Sequence, residues 1–561
     1  MQIKKETQKL YWISIALVSL MFLINILLKL DMFGERTILV GESWLSTVSA
    51  IYVENWLLEG INNLKHAMVR TYDSIEMLSM NDREVYASFL PGCLYLPFIT
   101  AKIFSLKPNL SFIEFFASLY HFLGALMTAS ISFVFCRKLE FSSKKTLFYS
   151  CFSGFAYIFT SLNFFILSTG YYADTAVYIF FLLFLLTEFL EKSQNRLAAK
   201  AVLIFVGLFH EWFFVGITIA SILSEINRED GKKNLKAILF WHLGACFLAL
   251  GFYGYYIYIL EKIEHSIFRL LRRSIFNPVS HSVFEEGFVQ LSKQLYSKYK
   301  LVFIFSAVIS FWNYFESKYF KNCKSFRNIF IVAFGSAMIQ LSIALQHSAV
   351  HKFSGLKLIV PLCIFIPFFI EEISNFFPLK YKSLLRNSLF VVLILPNIFQ
   401  DLKIIINFKP ENTIYNQLEK IMKNYTYEDL FFSYNLEILQ DKYPKYDIRT
   451  SAKNILPSDR LESEPFLHYS SHKQIYYIES PKDILKMLEY RNLKGKAKVH
   501  LLFHIETCEN IEKQNLLKAI EEDFYIVDIS DDELEKKAFE NKFSCEKQLK
   551  PKVFFGLPNV K

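Results

Sequence analysis

Charge is scarce in this sequence compared with apolar surface. Charged residues fill 20% of the 561 positions against 53% hydrophobic, and mean hydropathy is positive at +0.26. A soluble chain of this length needs more charge to cover its surface, so a soluble globular protein is excluded. The eight cysteines include no Cys-x-x-Cys pair, which removes the common zinc and redox motifs. Six of them (Cys93, Cys136, Cys151, Cys246, Cys323, Cys363) lie in or beside apolar segments and read as small hydrophobes. Cys508 and Cys545 fall in the tail, where they could pair only outside the cytoplasm. The first apolar run, Leu10 to Leu30, is too long and too poor in small residues at its end for a cleaved signal peptide. No internal repeat or low-complexity segment occurs.

What the chain has instead is apolar runs and aromatics, 59 Phe and 31 Tyr. Besides Leu10–Leu30, candidate spans fall at 89–106, 112–135, 146–166, 173–190, 201–223, 236–260, 301–315, 328–346, 356–373 and 387–401. At roughly 20 residues per crossing, these predict an all-α polytopic membrane domain of about 10–12 helices over residues 1–404. Lys4, Lys5 and Lys9 ahead of the first span place the N-terminus in the cytoplasm. Basic links such as Arg137-Lys138…Lys144-Lys145, Lys192…Lys200, Lys318…Arg327 and Lys380…Arg386 read the same way. Segments 31–88, 167–175 and 347–355 are then extracytoplasmic. Strict alternation conflicts with the 136–145 link, so either 89–135 crosses once or one basic link lies outside. The net charge of +9 fits basic loops facing anionic lipid, and no nucleic-acid partner is expected.

From residue 405 the composition turns polar. The pieces 429–435, 473–480, 497–505 and 524–529 have strand character. Ser480-Pro481-Lys482-Asp483 carries a helix-start signature, and Thr507 heads a segment with Ile511, Leu516, Leu517 and Ile520 on one helical face. Residues 405–561 are expected to form a small α/β domain, extracytoplasmic if the last span exits outward.

Several stretches carry ionisable groups at span ends. In residues 37–60, Trp44, Leu45, Val48, Ile51, Tyr52, Trp56 and Leu57 share one helical face, with Ser46, Ser49, Asn55 and Glu59 on the other. That pattern predicts a juxtamembrane helix in the headgroup plane. Glu42 stands just before it, where an acid either complements the helix dipole or acts as a base. Asp174, at the mouth of the 173–190 span, either caps that helix with Thr175 or converges with Glu42 on one site. Two such acids could also hold a divalent cation, although the sequence gives no sign of an obligatory metal. In residues 345–362, His347 and His351 are spaced i, i+4 and followed by Lys352 and Lys357. Such groups suit a phosphate, or are solvated or snorkelling loop residues. Pro91-Gly92 breaks the chain at a span entrance, with Arg70 and Arg83 upstream. The His210-Glu211 pair inside 201–223 is costly in a membrane and reads best as a polar kink between two half-helices.

The order of these features resembles the GT-C superfamily of integral-membrane glycosyltransferases, which includes the protein O-mannosyltransferases and aminoarabinose transferases. A first span is followed by an acid ahead of juxtamembrane helices in the first outer loop (Gly41-Glu42-Ser43), then a Pro-containing entrance (Ser88-Phe89-Leu90-Pro91-Gly92). A second acid heads a later span (Tyr171-Tyr172-Ala173-Asp174), and a His-bearing outer-end motif (Val350-His351-Lys352-Phe353-Ser354-Gly355-Leu356-Lys357) completes the set over roughly residues 1–375. Two departures stand out: the first acid is Glu rather than the commoner Asp, and Leu90-Pro91 replaces a frequent Pro-Pro.

The resemblance implies a polyprenyl-phosphate sugar donor, an extracytoplasmic glycan, lipid or protein acceptor, and an inverting transfer in a multi-pass plasma (inner) membrane protein. It makes Glu42 the general base, Asp174 its partner, and Arg70, His351 and Lys352 the groups facing the leaving phosphate. The rivals are a transporter or flippase of lipid-linked sugars, resting on His210 and Glu211, and an O-antigen polymerase or ligase-like enzyme, resting on Arg269, Arg272 and Arg273.

Overall fold

A computed structural model describes residues 2–30, 43–70, 85–160, most of 163–262, 323–344, 355–375 and 378–407. Beyond these it describes five strand segments and a few isolated residues. The helices are α1 (Gln2–Leu28), α2 (Ser43–Asn55), α3 (Gly92–Phe104), α4 (Leu110–Lys138), α5 (Ser143–Phe159) and α6 (Ala173–Leu186). They continue with α7 (Ser193–Leu208), α8 (Phe213–Ile226), α9 (Leu235–Ile259), α10 (Lys324–Ile343), α11 (Leu356–Ser374) and α12 (Leu379–Asn407). Among the described residues, α1, α4, α9 and α10 are each long and apolar enough to cross a membrane, while α3 and α8 are shorter apolar helices. The chain is a membrane protein. The expected span at 301–315 lies outside the described residues.

The chain divides into two compact units. One comprises residues 1–33, 87–99 and 111–409, and the other 34–86, 100–110 and 410–561.

In the first unit α1 runs antiparallel to α4 and parallel to α5. The Tyr11 and Ser130 hydroxyls lie 3.0 Å apart, and the Phe22 ring meets His121 edge-on at 5.4 Å. The Ser14 and Ser150 hydroxyls are 2.6 Å apart, and a Cβ added to Gly154 would strike Val18. The single span expected over 201–223 is in fact two helices, α7 and α8, broken at residues 209–212. The break is polar: Glu211 Oε2 accepts the Phe213 N–H at 2.6 Å and so supplies a cap for α8. The half-helix reading of His210-Glu211 therefore agrees with the structure.

At their far ends α6, α7 and α8 are tied by buried ions. Glu225 receives Arg196 Nε at 3.0 Å, Lys200 Nζ at 2.7 Å and Arg228 Nε at 3.1 Å. Glu188 pairs with Lys200 and Arg228.

In the second unit α2 ends in a single π turn, Trp56–Gly60, and strands β1 (Met68–Val69) and β2 (Val85–Tyr86) pair antiparallel. The expectation that one face of α2 meets headgroups is not met. Ser46, Ser49 and Asn55 are fully buried alongside Leu45, Val48 and Tyr52. The physical reason is that these polar groups are small and bonded within the protein: Asn55 Nδ2 donates to Val69 O at 2.8 Å, beside a Trp56 Nε1 bond to Ala67 O at 2.7 Å.

The C-terminal sheet has the order β4-β3-β5-β7-β6, with β3 (Asp429–Tyr434), β4 (Ile475–Ile478), β5 (Lys498–His504), β6 (Leu517–Ile520) and β7 (Phe524–Ile529). β4, β3 and β5 are parallel, and β5, β7 and β6 antiparallel. Four of these strands fall on the strand-like pieces of the sequence. The helix expected from Thr507 is contradicted at its end, because Leu517–Ile520 is a strand paired to β7. Cross-strand pairing overrides the helical spacing of its apolar residues. Residues 484, 485 and 488 are helical, after the Ser480–Asp483 signature.

Candidate active site

The helix starts of α6 and α11 and the α7–α8 break converge on a buried group of charges. Lys357, in the first turn of α11, places Nζ 3.0 Å from Asp174 Oδ1 and 3.7 Å from Glu211 Oε1. All three are buried, with 1% of Lys357, 5% of Asp174 and 7% of Glu211 exposed. The Phe213 ring lies beneath the ammonium, 6.0 Å from Nζ to its centroid. Ionised groups survive such burial only when paired and hydrogen-bonded, so the three side chains form one electrostatic unit.

Each element has a local reason for its position. Tyr172 is the N-cap of α6, and its N–H is accepted by Thr175 Oγ1 at 2.9 Å. The capping work therefore falls to Tyr172 and Thr175, and Asp174, in the first turn, is turned to Lys357. The polar break approaches the entrance of α3 closely: Gly92 N–H donates to Phe209 O at 2.8 Å, and Trp212 Nε1 to Ser88 O at 2.6 Å. Only glycine permits that approach, because a Cβ at 92 would sit 2.4 Å from Phe209 O. The Pro91-Gly92 break is thus a packing device as well as punctuation. The Tyr171 hydroxyl adds a bond to Cys93 O at 2.5 Å, so the start of α6 is tied to α3. His210 is held apart from the ions by a Val206 O bond at 2.9 Å and by the Phe180 ring, 4.4 Å away between centroids.

Of the residues expected at the site, Asp174 belongs to this cluster, and Arg70 directly follows β1 and is half-buried. Glu42, His351 and Lys352 lie outside the described residues, as do His347, Arg83, Arg269, Arg272, Arg273, Cys508 and Cys545. Lys357 is neither solvated nor snorkelling, which corrects that alternative: two carboxylates hold it inside the protein. Glu211 was legible as an intramembrane acid, but its partner, 146 positions away (357 − 211), was not. Among the described residues no three His, Cys, Asp or Glu come together as metal ligands. The Lys357 ammonium takes the place that a cation bridging Asp174 and Glu211 would need.

No family model matches the chain, and no curated protein matches it either. Solved structures do match. ArnT from Cupriavidus metallidurans in the apo state superposes with a TM-score of 0.52 at 10% identity, over 92% of this chain and 97% of that one. The same protein bound to undecaprenyl phosphate gives 0.51, also at 10% identity and with the same coverage of 92% and 97%. This chain has the GT-C fold. The apo oligosaccharyltransferase of Archaeoglobus fulgidus matches at a TM-score of 0.49 and 12% identity, over 89% of this chain and 70% of that one. Within the GT-C fold of this chain, the Asp174–Lys357–Glu211 group is built from helix starts and a helix break rather than from mid-helix positions.

Proposed function

We propose that this chain is a membrane glycosyltransferase that moves a sugar from a polyprenyl-phosphate donor to an extracytoplasmic acceptor hydroxyl with inversion. The observation that supports it best is the buried Asp174–Lys357–Glu211 group at helix starts of a GT-C fold. ArnT, which shares that fold, has been solved bound to undecaprenyl phosphate. Charges at helix starts suit this reaction, because the leaving phosphate must stay at headgroup level while its isoprenoid tail remains in lipid.

In this reading Glu42 takes the proton of the acceptor hydroxyl. The freed oxygen attacks the anomeric carbon as the bond from that carbon to the phosphate oxygen breaks on the opposite side. The polyprenyl phosphate leaves, its charge met by Arg70, His351 and Lys352. Asp174, fixed by Lys357, orients the acceptor or sets the field around Glu42. The site faces away from the cytoplasm, with the N-terminus cytoplasmic and the C-terminal domain extracytoplasmic. A divalent cation has no step in this scheme.

The test is release of polyprenyl phosphate from lipid-linked sugars by purified wild type, Glu42→Gln and Asp174→Asn. Losing a positioned base costs roughly 10²–10⁴-fold in rate, so Glu42→Gln should be nearly inactive. Full turnover by that variant refutes the assignment. The helix break at 209–212 is also what a flippase of lipid-linked sugars would use. Transport without sugar transfer would decide for that reading.

A further inference from the structure

A second polar group lies where α1, α4 and the turn after α5 come together, and the scheme above does not use it. The antiparallel register fixed by Tyr11–Ser130 and Phe22–His121 carries Asn25 of α1 level with Ser118 of α4. His121 Nε2 and Asn163 Nδ2 both donate to Tyr157 O, at 3.4 and 2.6 Å, so these two side chains are neighbours. Lys29, one turn beyond Asn25, reaches Phe164 O at 2.8 Å and binds α1 to the same turn.

Each of the four polar side chains has a buried atom without a protein partner: both amide atoms of Asn25, Ser118 Oγ, His121 Nδ1 and Asn163 Oδ1. Asn25 and Asn163 are 0% exposed and His121 is 1%. Groups of this kind are costly to bury dry.

The free atoms also define what they would accept. With Nε2–H engaged on Tyr157 O, a neutral His121 presents Nδ1 as an acceptor. Asn25 Oδ1 and Asn163 Oδ1 are acceptors too, the Asn25 amide donates, and Ser118 does either. An anion would face three acceptors, and an apolar group would satisfy none of the atoms. A molecule that donates twice and accepts twice satisfies the mixture, and that molecule is water.

We infer that Asn25, Ser118, His121 and Asn163 form an internal water-binding site that bridges α1, α4 and the turn around residue 163.

The experiment is X-ray hydroxyl-radical footprinting of the full-length protein in nanodiscs, which labels buried side chains next to ordered water. His242 is an internal control, being 0% exposed with both ring nitrogens engaged, on Ser221 Oγ and Ile238 O at 2.9 Å each. His121 should be oxidised several-fold faster than His242, and Asn25→Leu should remove that excess and lower the melting temperature. Equal labelling of the two histidines overturns the inference, as does an Asn25→Leu protein that melts at or above wild type. If Asn25→Leu does not fold, the wild-type comparison decides alone. Inactivity of wild type in the transfer assay would sink the catalytic reading and leave this footprint unchanged.

Discussion

Replacing Lys357 by Met keeps most of the side-chain length and removes the ammonium, leaving Asp174 and Glu211 buried with no cation between them. At an effective dielectric of about 20, the gross Coulomb attraction of a unit pair is about 5.5 kcal/mol at the 3.0 Å of Asp174 and about 4.5 kcal/mol at the 3.7 Å of Glu211. Desolvation of the ammonium offsets much of this, and removing one partner of a buried pair typically costs roughly 3–5 kcal/mol. Two carboxylates lose their cation here, so Lys357→Met should fall at the upper end of that range. The pair terms are not equal. Asp174 makes a hydrogen bond to the ammonium, whereas Glu211 is beyond hydrogen-bonding distance and keeps the Phe213 N–H. Adding Asp174→Asn to Lys357→Met should therefore recover more stability than adding Glu211→Gln. The triple variant Lys357→Met, Asp174→Asn, Glu211→Gln buries no net charge and should return to within about 1–2 kcal/mol of wild type. Equilibrium unfolding of the purified protein in detergent reads all four proteins. A single Lys357→Met variant within about 1 kcal/mol of wild type would show that the three charges are not one unit, because an exposed pair is worth no more than that.

Two other perturbations test the frame around the site. Gly92→Ala puts a Cβ 2.4 Å from Phe209 O, so the backbone must yield and the 2.8 Å bond from Gly92 N–H is strained or lost. A thermal melt should show a loss of roughly 1–3 kcal/mol, the usual cost of overpacking. Glu225→Gln leaves Arg196, Lys200 and Arg228 short of a carboxylate and should destabilise by roughly 3–5 kcal/mol. The KM of the folded fraction should stay at the wild-type value, because Glu188 of the same ionic cluster lies in the turn just past the far end of α6, roughly 20 Å from Asp174 at the usual helical rise.

How much of this was legible depended on whether a residue's fate was decided nearby in sequence. Apolar runs end where solvation changes, so 236–260 and 328–346 anticipated α9 and α10 to within a few residues. Strand character in 429–435, 497–505 and 524–529 was equally local. Within 201–223 the His210-Glu211 pair marked a polar kink locally, whereas the contacts that fix the break, Glu211 on the Phe213 N–H and the Gly92 backbone on Phe209 O, include a partner far away in the chain. Leu517 and Ile520 carried helical spacing and became a strand because β7 offered a ladder. At the site, the choice between cap and functional acid for Asp174 could not be made from its own neighbours. Thr175 is just as local, and it took the capping role. What freed Asp174 was Lys357, a residue whose own surroundings suggested a loop.

The two ionic groups on the α6–α8 layer explain why such costly burial is retained. At one end, three cations share two carboxylates, Glu188 and Glu225, and every one of those charges has a partner. At the other, among the described residues, one cation lies between two carboxylates. The far cluster ties the ends of α7 and α8 to the turn after α6, and the near group ties the starts of α6 and α11 to the α7–α8 break. Both join elements distant in the chain, and removing a single partner from either leaves buried charge uncompensated, so each should resist single substitutions more than concerted ones.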